Sequence, residues 1–96
     1  MSAYLIVNIT VHDPEAYEDY KSGVTPLVAK HGGEYLVRGG DHEVIEGEWS
    51  PTRLVLFSFP SRDAISAFFN DPDYLPLKDL RHRAATTEAV AVDGVD

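Results

Sequence analysis

The chain contains no cysteine. That excludes disulfides, thiolate nucleophiles and cysteine-ligated zinc or iron–sulfur centres. Basic residues are scarce, 8 Lys and Arg against 16 Asp and Glu, for a formal charge of −8. A surface with that balance repels phosphate backbones and anionic lipid, so neither nucleic acid nor membrane is expected as a partner. No long apolar run is present, and no basic leader precedes the first strand-like segment. Neither a membrane span nor a signal peptide is expected, and the chain reads as cytoplasmic. Gly-x-Ser-x-Gly and dinucleotide fingerprints are missing, and Gly39-Gly40 is followed by no helix, so it is a turn rather than a phosphate loop. The four histidines lack ligand spacing. Even His42 and Glu46, on one face of a strand, would stand roughly 13 Å apart. No metal and no cofactor is expected.

What remains is 96 residues, 44 % hydrophobic, enough for one domain spanning 1–96. A domain of this size has a thin stability margin, and oligomerisation is a common remedy. Ala3–Val11 reads as a strand with Leu5, Val7, Ile9 and Val11 on one face. Asp13-Pro14-Glu15 starts a helix, with a capping carboxylate, a proline suited to the first position and an acid at the positive end of the dipole. Its stripe is Tyr17, Tyr20, Val24, Leu27, Val28 and His31. Gly23 and Pro26 predict an interruption or kink, and Gly32-Gly33 the helix end. Glu34–Arg38 is a strand, Gly39-Gly40-Asp41 a turn, and His42–Glu46 a short returning arm.

A loop carrying Trp49 leads to the strand Arg53–Phe59, apolar on both faces and therefore central, like the first. Ser61 caps a helix whose stripe is Ala64, Ile65, Phe68 and Phe69. A further helix runs from about Tyr74 to Ala85, a last strand from Thr86 to Val92, and a frayed acidic end follows from Asp93. The order is the split βαβ pattern of an α+β, ferredoxin-like βαββαβ domain with an antiparallel sheet. Helices on one face leave the other bare, and a bare apolar face needs a partner.

Several segments resemble one known family. They are Gly32-Gly33-x-Tyr35-x-x-Arg38-Gly39-Gly40, then Glu46-Gly47-x-Trp49-x-Pro51-x-Arg53, then Phe59-Pro60-Ser61 and Tyr74 followed by Arg81. With the opening Asp13-Pro14-Glu15-x-Tyr17-x-x-Tyr20, they look like the domain-of-unknown-function family thirteen-thirty, almost end to end. Ser58 and Phe68-Phe69 depart from the family's pattern. The resemblance implies a dimeric α+β barrel, in which two sheets pack face to face in a homodimer. Relatives with that architecture include cofactor-free oxygenases, lactone isomerases and haem-degrading enzymes.

Arg38 is the sharpest candidate site residue, because an arginine in so apolar a strand either pairs with an acid or faces a cleft. Glu43 or Glu46 is the candidate internal partner, and a bidentate clamp on a carboxylate or enolate is the functional reading. Tyr17, Tyr20 and Tyr74 offer apolar walls with polar handles. Trp49 fits a cleft cap or a dimer anchor equally. Arg53 reads as a rim or ion-pair residue, and Arg81 as reaching a turn or a cleft. Asn8 is either an oxyanion donor or a tie to a neighbouring strand. The expectation is a homodimer that binds a small acidic or aromatic molecule between sheet and helices. The alternatives are a cofactor-independent oxygenase or isomerase and a structural dimerisation module without a ligand.

Overall fold

The computed structural model describes residues 2–95. The elements are β1 (Ala3–Val11), α1 (Pro14–Lys30), β2 (Glu34–Arg38), β3 (Leu54–Phe59), α2 (Arg62–Phe69), α3 (Leu75–Ala84) and β4 (Ala85–Asp93). The sheet order is β2-β3-β1-β4, with every neighbouring pair antiparallel. This is the α+β, ferredoxin-like βαββαβ arrangement, with β1 and β3 at the centre as their two apolar faces require. Alternation then sorts the side chains. Ala3, Leu5, Val7 and Ile9 of β1 and Val55, Phe57 and Phe59 of β3 are buried under the helices. Tyr4, Ile6, Leu54 and Leu56 lie on the opposite face and are only partly covered. The domain measures 38 × 37 × 16 Å, which is one sheet layer plus one helix layer. The second sheet face is therefore open.

Local chemistry explains the helix starts. Asp13 Oδ1 accepts from Ala16 N at 3.3 Å, and Ser61 Oγ from Ala64 N at 3.1 Å. Neither Gly23 nor Pro26 breaks α1, which is continuous over Pro14–Lys30. Gly23 serves a different purpose: a Cβ there would meet Leu77 Cδ2 at 2.6 Å, so the missing side chain lets α3 settle against α1.

The expected returning arm His42–Glu46 does not form, and the segment is irregular and exposed. A two-stranded arm beyond a sheet edge is marginal in water. The loop is instead tied at its base, where His42 Nε2 donates to Pro51 O at 2.9 Å. The C-terminal segment is not frayed either. β4 reaches Asp93, which pairs with Arg62 Nε at 2.8 Å, and Gly94 N donates to Ser2 O at 2.7 Å. Asp96 lies outside the described residues. No helix among the described residues is long and apolar enough to cross a membrane.

One irregularity in β2 matters for the site. Tyr35 stands opposite Phe57 and Arg38 opposite Val55, so the register shifts between Tyr35 and Val37 and Leu36 is unopposed. In a regular strand, residues three apart face opposite sides. This bulge puts Tyr35 and Arg38 on the same, helix-facing side of the sheet, with Arg38 at its exposed margin.

Candidate functional site

A cavity of about 200 Å³ lies between the helix-facing side of the sheet and α1, α2 and α3. Its floor comes from the central strands, through Leu5, Val7, Ile9, Val55 and Phe57. Its walls are largely aromatic. Tyr17 and Tyr20 stack at 5.7 Å between centroids, and Tyr35 leans on Phe57 at 4.6 Å. Phe68 packs on Tyr74 at 4.6 Å. The Tyr20 and Tyr74 hydroxyls meet at 3.0 Å. Burial, and then the adjoining Tyr74, push the Tyr20 phenol far above its ordinary pKa. It stays a neutral hydroxyl rather than a base.

The charges are unevenly placed. Lys21, Arg38, Arg53 and Arg81, four of the chain's eight Lys and Arg, line this cavity, and no Asp or Glu does. In a chain with twice as many acids as bases, that is a local inversion of charge. Lys21 is partly answered by Glu18 at 2.8 Å. Arg38 is exposed at the rim. Its guanidinium lies 4.3 Å from the Tyr35 ring centroid, and Nη2 donates to Thr25 Oγ1 at 3.3 Å. No ion pair to Glu43 or Glu46 forms, because both sit on the exposed irregular loop. Arg53 lies 5.8 Å from the Tyr17 ring centroid and passes over Gly39. A Cβ at Gly39 would overlap that guanidinium, and its φ of 76° already favours glycine.

Arg81, on the last turn of α3, is 8 % exposed. Its nearest hydrogen-bonding neighbour is His82 Nε2 at 3.4 Å, too long for a good bond. Among the described residues, three buried side-chain polar atoms lack a partner: Arg53 Nε, Arg81 Nε and Thr87 Oγ1. All three residues line the one cavity.

Of the residues singled out in the sequence, Tyr17, Tyr20, Arg38, Arg53, Tyr74 and Arg81 come together here. Asn8 and Trp49 do not. Asn8 lies on the open side of β1, because it alternates with the buried Val7 and Ile9. Its Oδ1 accepts from Thr52 N at 2.9 Å and Arg53 N at 3.2 Å. It acts on the site only by fixing the backbone that carries Arg53. Trp49 is 59 % exposed and borders a separate shallow hollow with Ile45 and Leu54. Sequence reasoning missed Thr87, Lys21 and His82. A threonine alternating with Ala85 and Ala89 on an otherwise small, apolar strand face was the available signal for the first.

The family model described as a domain of unknown function (DUF1330) matches residues 2–95, and the chain belongs to that family. No curated protein matches. Among solved structures, the chain is similar to RPA0582, a protein of unknown function from Rhodopseudomonas palustris, at TM-score 0.80 and 16 % identity. That match covers 99 % of this chain and 83 % of that one. It is also similar to SnoaB, a cofactor-independent oxygenase from Streptomyces nogalater, at TM-score 0.68 and 15 % identity, covering 99 % and 94 %. A dimeric ferredoxin-like protein of unknown function from Thermobifida fusca matches at TM-score 0.64 and 14 % identity, covering 98 % and 92 %. Identities this low speak for the fold alone.

Proposed function

We propose that this protein binds a small anionic, largely apolar molecule in the cavity between sheet and helices. The observation that carries the reading is Arg81, nine-tenths buried in a cavity whose lining has no carboxylate, with its Nε unpartnered. An unpaired buried charge costs several kcal/mol, and a ligand anion would remove that cost. A cavity of this size also speaks against a structural module without a ligand. The test is a thermal shift with benzoate, phosphate and neutral benzyl alcohol at matched ionic strength. At ten times its Kd a ligand adds about 1.4 kcal/mol, or roughly 6–11 °C for a domain this size. An anion-specific rise that shrinks with salt is expected. If neither anion raises the melting temperature beyond chloride, the reading is wrong.

The oxygenase among the structural neighbours brings a second reading, catalysis without a cofactor on a phenolic or enolisable ligand. His82, which borders the same cavity beside Arg81, would be the base. Product formation under air during the same titrations separates turnover from binding.

We further propose a homodimer through the open sheet face. Ile6 is central there, opposite Leu56 on one side and Val90 on the other, and Val90 is 62 % exposed. Dimeric structural neighbours support this reading. A stable pairing would bury upwards of about 1,200 Å² in total. Trp49 shares its hollow with Leu54 of that same face, which favours an interface role over a cleft cap. Ile6→Asp should halve the mass seen by analytical ultracentrifugation. A wild-type chain that sediments as a monomer at micromolar concentration would refute the dimer.

A further inference from the structure

We infer that the ligand is an elongated dicarboxylate, with one carboxylate at the β2 end of the cleft, the other at the α3–β4 end and an apolar span between. This rests on the anion-binding reading above and names the ligand's chemical class and orientation.

The cleft runs across the sheet, and strand register shows how. On the helix-facing side Arg38 stands opposite Val55, Val55 opposite Val7, and Val7 opposite Ala89. That row crosses all four strands, and each of its members lines the cavity. Three strand spacings separate its ends, about 14 Å between backbones. Arg38 and Ala89 are both exposed, so the row meets solvent at either side of the sheet.

The cations sort to these two ends. At the first, Arg38 donates to Thr25 of α1 and lies on the Tyr35 ring, and the Arg53 guanidinium passes over Gly39, directly after β2. Lys21 Nζ and Arg53 Cζ stand 5.7 and 5.8 Å from the same Tyr17 ring centroid. At the second end is Arg81, in the last turn of α3, which packs on α1 and runs straight into β4 at Ala85. Its Nη2 faces Nε2 of the exposed His82, which borders the same cavity. Among the described residues, none of the three arginines has a carboxylate within ion-pair distance.

The middle is apolar. Val7, Ile9, Val55 and Phe57 form its floor. The Tyr20 and Tyr74 hydroxyls bond to each other, so the rings present carbon to the cleft. A ligand with one anionic group leaves one cationic end unanswered. A second carboxylate answers both ends through charge-assisted bonds to guanidinium forks, and an apolar span covers the floor between. Because the cleft is open, the selective feature is the separation of the charges, on the order of 10 Å once the side chains lean over the floor.

The test is a titration of the whole chain, by calorimetry and by backbone amide shifts, with four probes. Azelate has a carboxylate at each end of a chain of about that length. Nonanoate has the same chain with a single carboxylate, nonane-1,9-diol has no charge, and glutarate brings its two carboxylates close together. Azelate should bind about tenfold tighter than nonanoate, the low end for a charge-assisted contact because Arg38 is solvent-exposed. Glutarate and the diol should bind more weakly still. Azelate should shift amides at Arg38 and Gly39 together with those at Arg81 and His82. Arg38→Met should cut the azelate-to-nonanoate ratio several-fold, and the ratio should approach one in Arg81→Met. Thermal melts of both variants confirm that the chains compared are folded.

Nonanoate binding as tightly as azelate would overturn the second anionic group and leave a single-anion site standing. Glutarate matching azelate would overturn the span. Amide shifts confined to one end would overturn the orientation. Silence from every anion, or the diol matching azelate, would remove the underlying anion-binding reading as well.

Discussion

Arg81→Met should abolish most anion binding without lowering the melting temperature. The two halves of that outcome have separate causes. Charge-assisted hydrogen bonds contribute about 1.5–3 kcal/mol, so losing the guanidinium should weaken a bound carboxylate roughly 10- to 150-fold. Stability responds to what the arginine leaves behind. Removing one member of a buried ion pair strands the other charge and is strongly destabilising. Arg81 has no carboxylate partner among the described residues, so nothing is stranded. Methionine fills a similar volume and relieves an uncompensated charge, which is why the melting temperature should hold or rise.

The opposing effect is the arginine's place in the last turn of α3, where a cation is favoured by up to about 1 kcal/mol. His82 and Arg83 remain there in the variant. Arg81→Lys keeps the charge and loses the planar fork, so it should bind more weakly than wild type but more tightly than Arg81→Met. Calorimetric titration with benzoate, beside thermal melts, reads both quantities. A large fall in melting temperature with binding per folded molecule unchanged would make Arg81 a structural residue.

Arg38→Met is a milder case. Its guanidinium is exposed and held by Tyr35 and Thr25 rather than by an acid, so the ion pair with Glu43 or Glu46 expected from the sequence is absent.

The fold was legible because each strand and helix carries its own signal. β1 and β3 announce a central place through two apolar faces, and Asp13 and Ser61 announce helix starts. The pocket was legible in part. Tyr17, Tyr20, Tyr74, Arg38, Arg53 and Arg81 each stand out as polar groups on apolar stripes. The side of the sheet that Arg38 occupies was not legible. It depends on the unopposed Leu36, and no residue in Glu34–Arg38 demands a bulge. The unpartnered state of Arg81 was not legible either, since it depends on which acids fail to reach the cavity from distant parts of the chain. Two local patterns misled for opposite reasons. His42–Glu46 follows a glycine turn and carries the β-branched pair Val44-Ile45, yet has no partner to pair with. Gly23 and Pro26 look like helix breakers, yet α1 is held by packing along its whole length, and tertiary contacts override propensity.

Asp71→Asn should weaken the polar tie between the end of α1 and the α2–α3 turn and change how stability depends on pH. Asp71 lies in the turn between α2 and α3 and is 6 % exposed. Its Oδ2 accepts from Lys30 Nζ and from His31 Nε2, each at 2.8 Å, and its Oδ1 from Asp73 N at 2.9 Å. Those bonds tie the end of α1 to the α2–α3 turn. The bonds from Lys30 and His31, and then the Asp73 N–H, hold the carboxyl well below the usual carboxylate range. A group with a depressed folded-state pKa binds fewer protons folded than unfolded. Its stabilisation is therefore complete well above the unfolded value, near 3.9, and is lost progressively as pH falls from about 5 towards the lower folded-state value. Asparagine cannot take the ionised form and leaves Lys30 and His31 without their anion. At pH 7 the variant should melt at least about 5 °C below wild type. As pH is lowered towards 3 the wild-type chain loses part of this contribution and the variant has none to lose, so the gap should narrow. Thermal melts of both chains from pH 7 down to pH 3 decide the matter. A gap that stays constant across that range would mean that Asp71 acts through shape and neutral hydrogen bonds, not through its charge.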